Sequence, residues 1–169
     1  MIEKEYVVTM ARYNAWQNKQ ITDILNVMNE EEIWRDRGGF FGSIMHTLSH
    51  LLWGDTLWMS RWCDDVQAPH QSIAESVGFC ETFGDWQAQR FQMDGRIRIW
   101  SETLSNVDLK GTLAWFSGAL GRDVEEKRTL CITHMFNHQT HHRGQIHAML
   151  TAAGLQAPVT DLFIMPEHI

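Results

Sequence analysis

Apolar residues recur with helical spacing in four long segments of the chain. The pattern predicts a first helix from about Glu3 to Met28 and a second from Ser43, as N-cap, to about Trp62. A third helix is predicted from about Glu81 to Leu104 and a fourth from about Glu125 to Ala153. Four long helices joined by short connections are typical of an all-α four-helix bundle.

The helical period is lost between the third and fourth predicted helices. Residues 112–116 and 122–124 flank a glycine-containing turn at residues 117–121, which predicts a small β-hairpin. Two strands cannot form an independent sheet domain, so we expect the hairpin to pack against the helices. Earlier in the chain, residues 30–32 are three glutamates, and we expect them to interrupt the apolar face after the first helix.

The fourth predicted helix has signals at both ends. Asp123, Glu125 and Glu126 would lie favourably near its positive N-terminal end. Gly154 is suited to the position just after the last helical residue. The tail at residues 159–169 is apolar enough that we expect it to pack on the helices.

Composition narrows the class of protein. The 169 residues, 44% hydrophobic and 21% charged, predict one globular domain over residues 1–169. A net charge of −7 argues against a nucleic-acid-binding surface, and no run approaches the roughly 20 apolar residues of a membrane span. Three widely spaced cysteines do not form a disulfide framework, so we expect a reducing, cytoplasmic location.

Histidines are concentrated in two of the predicted helices. Two lie in the second helix and five in the fourth: His46, His50, His134, His138, His141, His142 and His147. At about 100° per residue, four of the imidazoles in the fourth helix share one face, together with Gln145, and only His147 points elsewhere.

This spacing predicts a metal site. His138 and His142 are four residues apart and could chelate one ion from a single helix, and His50 on the second helix could supply a third imidazole. Three imidazoles with an open position are typical of catalytic metal centres. The alternative is a set of histidines satisfied by hydrogen bonds, and for Cys131 a buried structural thiol is favoured over a metal ligand. Neither ExxH nor HExxH occurs, which argues against di-iron carboxylate and zincin chemistry.

Two segments resemble a known family. Residues 41–58 (FGSIMHTLSHLLWGDTLW) resemble the second helix of the DinB/YfiT-like superfamily, and residues 134–145 (HMFNHQTHHRGQ) closely resemble its fourth-helix signature. The resemblance implies a bundle of the DinB/YfiT type that is often homodimeric. It also implies that the metal ligands are His50, His138 and His142. The surrounding cavity would then contain His46, His134, His141, Asn137 and Gln145.

Other polar residues near these motifs have structural interpretations. For Asp55 and Arg143 a structural ion pair or a surface contact is favoured, and Asp161 is expected to anchor the tail. Characterised members of the superfamily include transferases and isomerases that use low-molecular-weight thiols, and the resemblance does not imply DNA binding.

The resulting hypothesis is a metal-dependent enzyme. One divalent ion, with zinc, nickel or iron favoured, would activate a small thiol or water for attack on a small electrophilic substrate. His46, His134 and His141 could move protons near neutral pH. The competing hypothesis is a non-catalytic protein in which the ion only ties the second helix to the fourth.

Overall fold

A computed structural model of the chain describes residues 2–168. The fold is mostly helical, and the helices of the described part are α1 (Lys4–Leu25), α2 (Glu30–Trp34), α3 (Ile44–Trp62), α4 (Phe83–Thr103) and α5 (Arg128–Ala152). Two antiparallel strands, β1 (Thr112–Ser117) and β2 (Arg122–Lys127), form the hairpin between α4 and α5. All four long helices and the hairpin are therefore present in the predicted order, with differences at some of their ends.

The ends of the long helices follow from specific side chains and backbone conformations. The hydroxyl of Ser43 accepts a hydrogen bond from the backbone N–H of His46 at 3.1 Å, which confirms the predicted N-cap of α3. At the end of α5, Gly154 has φ +77° and donates its N–H to the carbonyl of Thr151. Leu155 donates to the carbonyl of Leu150, so the two bonds together form a Schellman motif.

The three glutamates after α1 do not interrupt helical structure. They form the first turn of the short helix α2, where Asn29 caps the N-terminus by accepting a hydrogen bond from the N–H of Glu31. Carboxylates are favourable at the positive end of a helix, and Ile33 is buried below them. The glutamates follow the end of α1 as expected, and the short helix that they begin was not predicted from sequence.

The start of the fourth long helix was also placed too early. Residues 123–126 belong to β2, and α5 begins at Arg128. Ala114 pairs with Glu125 and Leu113 with Glu126, so each residue added to the predicted strand gains a partner on β1. The acidic residues therefore line the hairpin instead of the first turn of α5.

The long helices bury one continuous apolar core. Helix α1 packs against α4 and α5, and α3 also packs against α4 and α5. Large side chains fill the space between them, with Trp86 and Phe136 fully buried and the indole N–H of Trp86 donating to the carbonyl of Leu48 at 3.2 Å. Among the described residues, no helix is both long and apolar enough to cross a membrane.

A buried ionic network lies within this core. Arg90 forms ion pairs with Asp55 at 2.7 Å and with Asp94 at 2.9 Å, and the side chains of Arg90 and Asp55 are only 3% and 1% exposed. Asn18 donates a further hydrogen bond to Asp94. Asp55 is therefore in a structural ion pair, as favoured from sequence, and its partner is Arg90. Arg143 instead donates to the side-chain oxygen of Gln139.

The C-terminal tail is attached to α1 through its backbone. The hydroxyl of Tyr13 donates to the carbonyl of Thr160 and the amide of Gln17 to the carbonyl of Val159, both at 2.7 Å. The apolar side chains at positions 162–164 are exposed, Phe163 by 87%. The tail does pack on the helices, but the expected apolar contact is replaced by polar contacts to carbonyl oxygens.

Candidate metal centre

Three imidazoles from two helices meet at one point. His50 on α3 and His138 and His142 on α5 each offer a ring nitrogen, and these nitrogens lie within 4.8 Å of one another. The Nε2 atoms of His50 and His138 are 3.1 Å apart. The ring centroids of His138 and His142 are 4.5 Å apart, as expected for residues one turn apart on the same helix face.

The hydrogen bonds around His50 assign its tautomer. The Nδ1 atom lies 2.7 Å from the hydroxyl oxygen of Ser76, and that hydroxyl donates its own proton to the carbonyl of Ile73 at 2.6 Å. The Ser76 oxygen must therefore accept, so Nδ1 of His50 carries the proton. The lone pair of Nε2 is left facing the other two imidazoles.

The same reasoning applies to His142. Its Nδ1 atom lies 2.8 Å from the amide oxygen of Gln145, which can only accept a hydrogen bond. The Nδ1 atom is thus the donor, and Nε2 keeps its lone pair. An imidazole whose outer N–H is held by an oxygen acceptor is the arrangement typical of histidine metal ligands.

Burial keeps the imidazoles of this cluster neutral. Loss of solvation, followed by the neighbouring imidazole of His142, lowers the pKa of His50 to about 4. Loss of solvation, followed by the nearby histidines, lowers the pKa of His138 to about 3. The pKa of His142 is lowered by burial as well, and the hydrogen bond to Gln145 partly opposes that shift. Neutral imidazole is the form that binds metal ions.

A divalent ion fits these donors. Two Zn–N bonds of about 2.0–2.1 Å at a tetrahedral angle would separate their nitrogens by roughly 3.3 Å. The observed 3.1 Å between the Nε2 atoms of His50 and His138 is close to that spacing and also allows an N–H···N hydrogen bond in the free protein. The donor set is three neutral nitrogens, which suits zinc, nickel, copper or iron better than calcium or magnesium.

Comparisons with known proteins identify the family of this chain. The sequence matches the profile of the DinB family over residues 1–168. The chain belongs to the DinB family. It is also similar to Protein DinB of Bacillus subtilis (strain 168), with 24% identity over an alignment that covers 93% of this chain and 91% of the relative.

The remaining histidines predicted to surround the site of this DinB-family chain divide into two groups. His134 and His141 contact the cluster, His134 through the ring of His138 at 5.9 Å and His141 through that of His142 at 4.8 Å. His46 instead packs edge-on against Trp34 of α2 at 5.4 Å, and its Nδ1 lies 3.2 Å from the carbonyl of Phe41.

The polar residues predicted near the site also fall into two groups, one in contact with the imidazole cluster and one outside it. Gln145 contacts His142 directly, as described above. Asn137 and Asp161 are both exposed and are not part of the three-imidazole cluster.

Three residues in contact with the cluster of this DinB-family protein were not singled out from sequence. Ser76 begins a single 3-10 turn, Ser76–Gly78, in the connection between α3 and α4, which is too short to give a periodic pattern. A hydroxyl is a common partner for a histidine ligand. The ring of Phe41 lies 4.3 Å from that of His50, and Gly54 faces the ring of His138. A glycine in the middle of a helix was the available signal for this close approach.

Proposed function

We propose that this DinB-family chain binds one divalent metal ion, with zinc, nickel or iron favoured, through His50, His138 and His142. The observation that carries the proposal is the convergence of three neutral imidazoles, two of which have their outer N–H held by oxygen acceptors. Those two hydrogen bonds leave the Nε2 lone pairs of His50 and His142 available to bind an ion. We place this site in a four-helix bundle of the DinB/YfiT type, which the packing of α1, α3, α4 and α5 supports.

We further propose that the ion serves catalysis on a small molecule. A divalent ion held by three imidazoles lowers the pKa of a thiol or water at its open position and so favours the nucleophilic form at neutral pH. A cavity of about 490 Å³, large enough for a small substrate, reaches His50 and His138 from one side. The reaction class we favour is attack of a small thiol or water on an electrophilic substrate in that cavity.

The chain contributes three properties to this chemistry. Trp53, Leu57 and Trp58 line the cavity and exclude bulk water from one side of the cluster. His134 also lines it, and burial followed by the charge of Arg61 lowers its pKa, so this imidazole is a neutral proton acceptor at pH 7. Ser76 and Gln145 fix the ring orientations of His50 and His142.

A purely structural ion is the competing function. It has support because the cluster joins α3 to α5. The same two helices are already held by the apolar core and by a hydrogen bond from the Gln139 amide to the carbonyl of Leu51. A cross-link between elements that already pack together is a weaker reason for a metal site, so we favour the catalytic function.

Metal content tests the ligand set. Protein purified from cells and assayed by elemental analysis should contain about one divalent ion per chain, and His138→Ala should lose it. The matched control is His147→Ala on the same helix, since His147 lies beside Tyr13 and Arg143 and not in the cluster. Full metal content in His138→Ala would overturn the ligand assignment. Turnover should then be screened with thiols and electrophiles.

Three broader statements belong to the same proposal. We propose a single domain over residues 1–169, a homodimer, and a cytoplasmic location. The family match across nearly the whole chain supports the first of these. The free thiols of Cys63, Cys80 and Cys131 are consistent with a reducing compartment.

A further inference from the structure

The cavity beside the three imidazoles is lined along its length by one face of α3. His50, Gly54, Trp58 and Arg61 all border it, at sequence intervals that return to the same side of a helix. His50 and Arg61 are eleven positions apart, so they are separated by about 16 Å along the helix axis at about 1.5 Å per residue. His50 and Arg61 are therefore attached at opposite ends of the part of α3 that borders the cavity.

Two tryptophans hold the guanidinium of Arg61. Its central carbon lies 4.3 Å from the ring centroid of Trp58 and 5.1 Å from that of Trp115, and the two rings are 5.7 Å apart. Trp58 comes from α3 and Trp115 from β1, so the hairpin completes this end of the cavity. Contact with two rings restricts the guanidinium to few orientations, and a ligand can approach the N–H groups along the plane of the guanidinium.

Arg61 has no acidic partner among the residues that the structure describes. Of the ion pairs formed among residues 2–168, none includes Arg61. Arg37 and Arg90, which are also largely removed from solvent, each pair with a carboxylate. Burial lowers the pKa of Arg61. A partly buried guanidinium that borders a cavity and has no carboxylate partner is suited to pair with an external anion.

The charge of the cavity wall is compatible with such a ligand. Among its lining residues, Arg61 and Glu126 are the two with full charges at neutral pH, and Glu126 is exposed. The remaining wall is apolar or aromatic, apart from the histidines, Ser117 and the thiol of Cys131. The cavity therefore combines one oriented cation, flat aromatic surfaces and, at a distance, the imidazole cluster.

We propose that the cavity binds an elongated organic anion whose carboxylate pairs with Arg61 and whose planar apolar part lies against Trp58 and Trp115. The far end of the molecule then reaches His50 and His138. Only the statement about that far end rests on the proposed metal-dependent function. The Arg61 end is a binding site with or without a metal.

The test compares two probes that differ in charge alone. Metal-free protein, prepared by dialysis against a chelator, is titrated with 2-naphthoate and with the neutral 2-naphthamide by calorimetry. The absence of metal prevents the carboxylate from binding an ion instead of Arg61. We expect naphthoate to bind about 10- to 100-fold more tightly, as for a charge-assisted pair, and the preference to vanish in Arg61→Gln.

Two control variants test whether the preference for naphthoate comes from Arg61. Glu126→Gln should keep or increase the preference for naphthoate, because it removes the acidic residue at the cavity wall. Arg96→Gln should leave it unchanged, since Arg96 pairs with Asp65 on a different surface of the protein. Indole N–H signals of ¹⁵N-tryptophan-labelled protein, assigned with Trp115→Phe, should shift for Trp115 when naphthoate binds.

Several results would overturn the proposal. These are equal affinity of the two probes for the wild-type protein, a preference that persists in Arg61→Gln, or an unchanged Trp115 signal at saturation. If Arg61→Gln does not fold, the two affinities are compared on wild-type protein and on Arg61→Lys. Equal affinity of the two probes for the wild-type protein still overturns the proposal. The metal content of the same wild-type preparation before dialysis reports separately on the three-imidazole site, so failure of one proposal is distinguishable from failure of the other.

Discussion

Gly54 lies directly against the imidazole of His138. A Cβ atom added at Gly54 would be 3.1 Å from Cε1 of that ring, closer than most Cβ contacts, and 3.5 Å from its Nδ1. The α3 backbone thus sets one limit on where the His138 ring can lie. The opposite limit is the 3.1 Å approach of its Nε2 to His50.

Gly54→Ala should weaken metal binding without unfolding the protein. The methyl group must push the His138 ring toward His50, which disturbs the ligand geometry, and we expect affinity to fall about 10-fold. Alanine favours a helix over glycine by about 1 kcal/mol, so the free energy of unfolding should not fall. Gly95→Ala in α4, where an added Cβ meets nothing within 4 Å, is the matched control and should bind metal normally. Unchanged affinity in Gly54→Ala would show that the ring can shift freely.

Ser76→Ala should also reduce metal affinity, by a different route. It removes the oxygen that accepts the Nδ1 proton of His50, and loss of such a partner typically costs about 10- to 100-fold in affinity. A competition titration with a chelator of known affinity measures the change. Ser72→Ala is the control, because Ser72 is in the same connection but bonds to Glu75. Equal affinities in the two variants would contradict the role given to Ser76.

Asp55→Ala should destabilise the fold strongly. It leaves Arg90 buried with one of its two acidic partners missing, and breaking a buried pair in this way costs about 3–5 kcal/mol. Denaturant unfolding measures the loss. The comparison is Asp23→Ala, which breaks the exposed pair with Lys19 and should cost at most about 1 kcal/mol. Similar losses in both variants would mean that the buried network adds little.

Removal of the metal should lower thermal stability while leaving the protein folded. At free metal about 1,000-fold above Kd, binding contributes about 4 kcal/mol, which corresponds to a fall in Tm of roughly 8–16 °C for a chain of this size. The apolar core joining α3 to α4 and α5 does not depend on the ion. Circular dichroism of chelated protein should therefore retain a cooperative transition. Loss of helical signal on chelation at 25 °C would instead favour the structural ion.

The four long helices could be predicted because large apolar residues recur at helical spacing along each of them, although polar residues interrupt the buried face in α4 and α5. The N-cap at Ser43 and the end at Gly154 were readable because those residues have local conformational roles. The start of α5 could not be placed, since Glu125 and Glu126 suit both a helix N-terminus and an exposed strand. Pairing with Ala114 and Leu113 places these two glutamates in β2, and that contact is not local in sequence.

The imidazole cluster was predictable for a related reason. His138 and His142 are one turn apart, and their contact follows from helix geometry alone. The choice of His50 over His46 came from the family resemblance. The contribution of Ser76 could not be predicted, because 26 residues of chain separate it from His50 and the intervening connection has no periodic pattern.

The position of the C-terminal tail on α1 does not depend on the identity of the tail's side chains. Tyr13 and Gln17 bind carbonyl oxygens, and every amino acid has the same carbonyl. Substitutions at Val159 and Thr160 should consequently be tolerated, whereas changes at Tyr13 or Gln17 should weaken the attachment of the segment, which Arg12 and Gln20 also bind. The side chains that make this contact belong to α1, so the sequence of the tail can change while the tail keeps its position on the helix.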